Sequence, residues 1–268
     1  IELGDYQAGN RATDEAMKLL GQLQQTHNPF LLIELRSAIG RALFFLDRFQ
    51  DIITHFAPLI EMAKMMPPNL QQVSLYNGVA CAYTSAGEYE KSEPLHRQAL
   101  AVAELLKSPW ANYNASIGML LFMLCTKRFE PSLLASVEEN LQHLYGTNDV
   151  PRAELATAYL LLNQPAKAKS LCQDMLASSI SPMGKTIALA HLSEIQFSEG
   201  HVAEAQQGLE QCLERLAVLT YPWVVGTVAA AVLSCGTPAQ KEHLQPYLAR
   251  LELAKLWPYL REKLQQLQ

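Results

Sequence analysis

Ala86-Gly87-Glu88-Tyr89 stands between two stretches, LQQVSLYNGVACAYTS (70–85) and EKSEPLHRQALAVAELL (90–106), in which apolar residues return at i, i+3, i+4 and i+7. That spacing is the period of a helix and not of a strand. The first stretch predicts a helix from about Leu70 to Ser85, with Tyr76, Val79, Ala80 and Tyr83 along one face. Gly87 then closes it in the left-handed conformation that only glycine adopts without steric penalty. The second predicts a helix from Tyr89 to about Leu106, with Leu95, Ala99, Leu100 and Ala103 turned inward. Joined by so short a link, the two form an antiparallel pair.

The turn phrase is not unique. It opens the chain as Leu3-Gly4-Asp5-Tyr6 and returns as Leu46-Asp47-Arg48-Phe49, Thr126-Lys127-Arg128-Phe129, Leu162-Asn163-Gln164-Pro165, Glu199-Gly200-His201-Val202 and Cys235-Gly236-Thr237-Pro238. Measured at the second residue of each, the successive steps are 43, 40, 40, 36, 37 and 36. A period in that range means a stack of helix pairs, each burying its apolar face against the next. The expected product is one elongated all-α domain over residues 1–268, of about six to seven helix pairs.

The unit around Gly87 resembles the tetratricopeptide repeat. The family's slots for aromatic, small and apolar residues are held here by Tyr76, Val79, Ala80, Tyr83, Gly87, Tyr89, Ser92, His96, Ala99 and Leu100. The unit around Gly200 answers with Leu192, Ser193, Ala205, Leu209, Cys212 and Leu213, and that around Asn163 with Ala156, Tyr159, Ala168, Cys172 and Leu176. The unit around Asp47 supplies Ile39, Gly40, Leu43, Phe49, Phe56 and Ile60, whereas those around Lys127 and Gly236 keep little beyond the turn and the helical period. The steps exceed the family's usual length of about thirty-four residues, which implies longer helices. The resemblance implies a right-handed α-α superhelix, a solenoid whose first helices line a concave groove and whose second helices form the convex back.

Beyond Gln245 the chain stays helical in pattern, with Pro258 expected to kink or divide it. Arg261-Glu262-Lys263-Leu264-Gln265-Gln266 is polar on most faces, which predicts a C-terminal capping helix that keeps the open end of the stack in water. The chain starts on Ile1 with no room for a helix before its first turn phrase, so we expect a segment cut from a longer polypeptide.

Composition narrows the function classes. A net charge of −5 with no basic run longer than a pair gives a field that repels a phosphate backbone, so no direct nucleic-acid contact by this segment is expected. The apolar stretch Val224 to Cys235 falls short of the roughly twenty residues a membrane-spanning helix needs and reads as a buried helix. Cysteines 81, 125, 172, 212 and 235 form no C-x-x-C pair and sit among apolar neighbours, as small reduced core residues of a cytoplasmic protein do.

Signatures of chemistry are absent from the sequence. Met183-Gly184-Lys185-Thr186 resembles the end of a phosphate-binding loop, but Ser179 stands where the loop's first glycine belongs. The seven histidines are never paired at i, i+4, and none stands beside a cysteine at metal-ligand spacing. Neither a nucleophile elbow nor a clustered triad occurs. No enzyme activity, no cofactor and no metal site is expected.

A partner would therefore meet the groove. Taking positions one helical step from the packing slots, the candidate lining is Arg41, Phe44, Asn77, Thr84, Asn114, His191, Glu194 and Trp223, with Cys81, Ala153 and Thr157 beside them. Chaperone-binding members of the family clamp a peptide carboxylate with Lys and Asn. Here Asn77 and Asn114 are present, but Ser37, Ala153 and Ala190 stand at the corresponding places and no lysine joins them. An apolar lining with sparse polar anchors suits a protein segment or a small-molecule effector. Long-period repeats of this kind look like the sensor arm of multidomain bacterial transcription regulators such as the maltose-regulon activator. That resemblance implies a non-catalytic ligand-sensing domain, and the alternative is a scaffold or adaptor that holds its protein partner constitutively.

Overall fold

The computed structural model describes residues 6–23, 39–40, 42–44, 46, 48–142, 150–179 and 181–267. These residues are helical almost throughout, with no strand among them. The long helices are α1 (Tyr6–Leu23), α2 (Phe49–Phe56), α3 (Ile60–Lys64), α4 (Leu70–Ser85), α5 (Tyr89–Leu106), α6 (Pro109–Thr126) and α7 (Pro131–Gln142). They continue as α8 (Val150–Leu161), α9 (Pro165–Ser178), α10 (Pro182–Ser198), α11 (Val202–Leu216), α12 (Pro222–Cys235), α13 (Pro238–Leu248) and α14 (Pro258–Leu267). Single 3-10 turns span Ala57–Leu59 and Leu253–Lys255.

Local chemistry sets these boundaries. Helices α6, α7, α9, α10, α12, α13 and α14 all begin on proline, whose fixed φ suits the first helical position and whose missing N–H is no loss there. Asn69 and Gln72 form a reciprocal cap at the start of α4, and Thr237 and Gln240 do the same for α13. Ser181 caps α10 by accepting from the Gly184 N–H at 3.2 Å. The Met183-Gly184-Lys185-Thr186 stretch is thus the first turn of a helix. At the turn phrases the backbone is left-handed at Gly87 (φ 79°), Lys127 (φ 56°), Asn163 (φ 56°) and Gly200 (φ 87°). Lys127 and Asn163 hold that conformation without glycine's freedom, so the turn is set by the packing of the helices it joins. Gly236 departs from the pattern, with φ −75°, and its N–H closes on the Val232 carbonyl at 2.8 Å.

The described chain forms two compact units, residues 1–126 with 132–143, and residues 127–131 with 144–268. In the first, α4 packs along α5 and both pack on α6, while α2 lies against α4. Its core is the set of repeat slots: Tyr76, Val79, Ala80, Ser92, His96, Ala99 and Ala103 are all buried. Small residues at the helix crossings let α4 and α5 approach closely, and Phe122 of α6 closes over His96, ring to ring at 5.7 Å. Helix α1 is joined to this unit by the ion pair of Asp14 with Arg48, which also bonds Asp51.

In the second unit α8, α10 and α12 each pack on the helix that follows and on the one after that. Helices α8, α10 and α12 lie side by side as one layer, and α9, α11 and α13 back them. Helix α12 is buried along nearly its whole circumference, as its all-round apolar sequence requires. Pro258 starts α14, after the 3-10 turn that ends at Lys255, so the helical run divides before it.

The C-terminal helix α14 packs on α12, and its side chains reach α10 and α8: Lys263 bonds Glu194, and Tyr259 bonds Glu154. Its polar pattern conceals a buried edge, with Leu260 and Leu264 almost wholly covered, as is Leu256 just before the helix.

Candidate functional site

The layer of α8, α10 and α12 carries the richest set of buried polar groups in the second unit. His191 and Glu194 stand three apart on α10 and so share a face. His191 Nε2 lies 2.9 Å from Thr157 Oγ1 on α8, and that hydroxyl in turn donates to the Ala153 carbonyl at 3.2 Å. On the other side of the ring, Nδ1 is 3.6 Å from the Glu194 carboxylate, beyond hydrogen-bonding distance but within coulombic reach. Glu194 Oε1 accepts from Lys263 Nζ at 2.6 Å. Burial alone would raise the Glu194 carboxyl, but His191 and Lys263 together hold it down at about 2. It is an anion at every physiological pH.

Glu154, one helix away on α8, is in the opposite state. Burial pushes its carboxyl up to about 7, against the pull of the Tyr259 hydroxyl that donates to it. One layer thus presents two acidic groups, one fixed in charge and one poised to titrate near neutrality. Arg152, also buried on α8, extends the other way to Asp174 at 2.6 Å and ties α8 to α9. Trp223 is buried at the first turn of α12, with its carbonyl accepting from Thr227 Oγ1 at 2.8 Å.

Gly226 shapes the floor of this face. An ideal Cβ there would lie 2.9 Å from Leu260 Cδ2 and 3.1 Å from Leu256 Cδ2. The glycine is a notch into which Leu260 of α14 and Leu256, just before that helix, fit.

In the first unit the candidate residues are engaged with one another. Asn77 Nδ2 donates to the Asn114 carbonyl at 2.8 Å and to its side-chain oxygen at 3.2 Å, joining α4 to α6. Thr84 has no exposed surface. It donates to the Ala80 carbonyl at 3.0 Å and meets Ser92 Oγ at 2.5 Å and His96 Nε2 at 3.2 Å. Burial pushes His96 down to about 3, so the ring is neutral and structural. Phe44 is half-buried and stands edge-on to Phe49 at 6.0 Å. Arg41 lies outside the described residues.

Of the sequence candidates, His191, Glu194 and Trp223 therefore fall in the second unit, and His191 and Glu194 touch. Phe44, Asn77, Thr84 and Asn114 fall in the first. Glu154, Tyr259 and Lys263 were not singled out by the sequence. Glu154 could have been noticed as a lone acid inside the apolar run Ala153 to Leu162, but its partner lies 105 residues away.

The buried thiols are not activated as nucleophiles. Burial raises the thiols of Cys172 and Cys212 to about 12 and that of Cys235 to about 11, and raises Cys81 further still. Among the described residues no group of three His, Cys, Asp or Glu side chains is placed to hold a metal, and no helix is long and apolar enough to cross a membrane. No protein-family model and no curated protein matches the chain.

Proposed function

We propose that this chain is a non-catalytic binding module of the tetratricopeptide type, working in the cytoplasm as the sensor arm of a larger transcription regulator. The observation that supports the reading is the polar set on the α8, α10 and α12 layer: an apolar wall interrupted by Glu154, His191 and Glu194. Sparse, buried, oriented polar groups on an apolar wall are what a site uses to select its occupant. The bound species is a protein segment or a small effector that takes over the contacts Tyr259 and Lys263 make with Glu154 and Glu194. To act as a sensor it binds one state of the larger protein better than the other, since equal affinity shifts nothing.

A thermal-shift screen of the chain against short peptides and sugars tests this. An occupant at about a hundred times its Kd adds about 2.7 kcal/mol, a readily measured rise in Tm. The rise should vanish in Glu194→Gln. A screen in which nothing shifts Tm, or in which every hit ignores both Glu194→Gln and Glu154→Gln, refutes the reading.

A further inference from the structure

We infer that the α8, α10 and α12 face is a docking site for an amphipathic helix, that α14 fills it in cis, and that a partner helix of matching chemistry takes it when α14 leaves. This rests on the binding-module reading above and names the kind of occupant.

The seating of α14 defines that chemistry. Leu260 and Leu264 stand four apart on one apolar edge of α14, Leu256 leads into the helix in extended backbone, and Leu256 and Leu260 enter the notch at Gly226. Glycine is unfavourable inside a helix, and at Gly226 its missing side chain leaves the room that Leu256 and Leu260 fill. Tyr259 and Lys263, each one residue before a leucine of the helix, flank that edge and supply a hydroxyl to Glu154 and an ammonium to Glu194. The opposite side of α14 is solvent-facing, with Glu262, Gln265 and Gln266 exposed. The helix is seated as a ligand would be, through one apolar edge and two polar anchors.

Its removal is feasible but not free. At 10 residues α14 is shorter than the ~12–15 residues an isolated helix needs in water, so it is ordered by the face it sits on. When it departs, two buried carboxylates lose their donors, and stranding a buried charge is strongly unfavourable. The face therefore selects a replacement that restores them: a helix with leucines at i and i+4, a hydroxyl or other donor at i−1 and a lysine at i+3. An acidic helix, or an apolar one without donors, is rejected by the same two carboxylates.

The test uses the intact chain and a fluorescein-labelled synthetic peptide with the sequence of residues 256–268, read by anisotropy. In the wild type the tethered α14 outcompetes the peptide. In Lys263→Glu the chain's own helix is repelled by Glu194 while the peptide keeps its lysine, so the peptide should bind at least about tenfold more tightly than to the wild type. Glu194→Lys should reverse the preference, taking up a peptide that carries glutamate at position 263 and refusing the original one. Should Lys263→Glu lose its helical circular dichroism, Tyr259→Phe serves instead, with a smaller gain in the same direction. Equal binding to the wild type and the loosened chains, or no binding to a loosened chain that stays folded, overturns the inference. If the second result comes with a ligand whose Tm shift is lost in Glu194→Gln, the binding module stands and only the exchangeable helix falls.

Discussion

Gly226→Ala gives a test by sign. In an unencumbered helix the substitution stabilises by about 1 kcal/mol, because alanine restricts the unfolded chain and suits the helix. On a chain of this size that raises Tm by about 2–4 °C. At Gly226, however, the added methyl meets Leu260 Cδ2 at 2.9 Å and Leu256 Cδ2 and Cδ1 at 3.1 and 3.3 Å. The obstructing atoms are side-chain ends, which ordinarily swing aside, but Leu256 and Leu260 are only 0% and 3% exposed and have nowhere to go. Overpacking of this kind costs about 1–3 kcal/mol, enough to cancel or reverse the intrinsic gain. We expect Tm to stay level or fall by a few degrees in differential scanning calorimetry. In the Lys263→Glu background, where α14 is already loosened, the same substitution should turn stabilising, which makes the two sites coupled by about 1 kcal/mol or more. A plain rise of the full intrinsic amount in the wild type, repeated unchanged in Lys263→Glu, would refute the placement of α14.

Three further outcomes are expected. Folding moves Glu154 from 4.5 to about 7, so the native chain holds an extra proton between those values, and stability present below pH 4.5 is lost as pH rises through about 7. The loss is about 3 kcal/mol at 1.36 kcal/mol per pH unit, and Glu154→Gln should flatten Tm between pH 5 and 8, roughly, while a slope unchanged from wild type contradicts the assignment. Glu194 moves the opposite way, from 4.5 to about 2, so its contribution is whole above pH 4.5 and fades as pH falls towards about 2, an acid limb that Lys263→Met should weaken. In the first unit, Gly118→Ala would drive a methyl into Asn77 Oδ1, with Cγ at 2.8 Å and His96 Cε1 at 2.9 Å. It should destabilise by about 1–3 kcal/mol in urea titration and be partly rescued by Asn77→Ala, and an additive pair would deny the contact.

How much of this was legible depended on the range of the interaction. The boundaries of α4 and α5 follow from a helical period and one glycine, all within forty residues, and the structure places them at Leu70–Ser85 and Tyr89–Leu106. The left-handed turns at Lys127 and Asn163 lacked glycine but were marked by the repeat itself. Thr84 was harder. Its helical register points towards a groove, yet its hydroxyl finds Ser92 and His96 across a tight crossing, and a hydrogen-bonded threonine is easily buried. The position of α14 was least accessible, because a polar terminal helix reads the same whether it ends a stack or folds back along it. The clues lay elsewhere: α12 is apolar on every side, so something must cover it, and Gly226 interrupts that helix where a neighbour needs room. Only the long-range pairs of Glu154 with Tyr259 and Glu194 with Lys263 identify that neighbour.

Hydrogen exchange of the intact chain, resolved to segments, addresses the central claim most directly. If α14 is a seated, exchangeable occupant, residues 258–267 open locally and exchange faster than α10 and α12, and Lys263→Glu accelerates α14 far more than its neighbours. If α14 is instead an integral part of the core, its amides exchange only with global unfolding, in step with α12, and Lys263→Glu shifts both together.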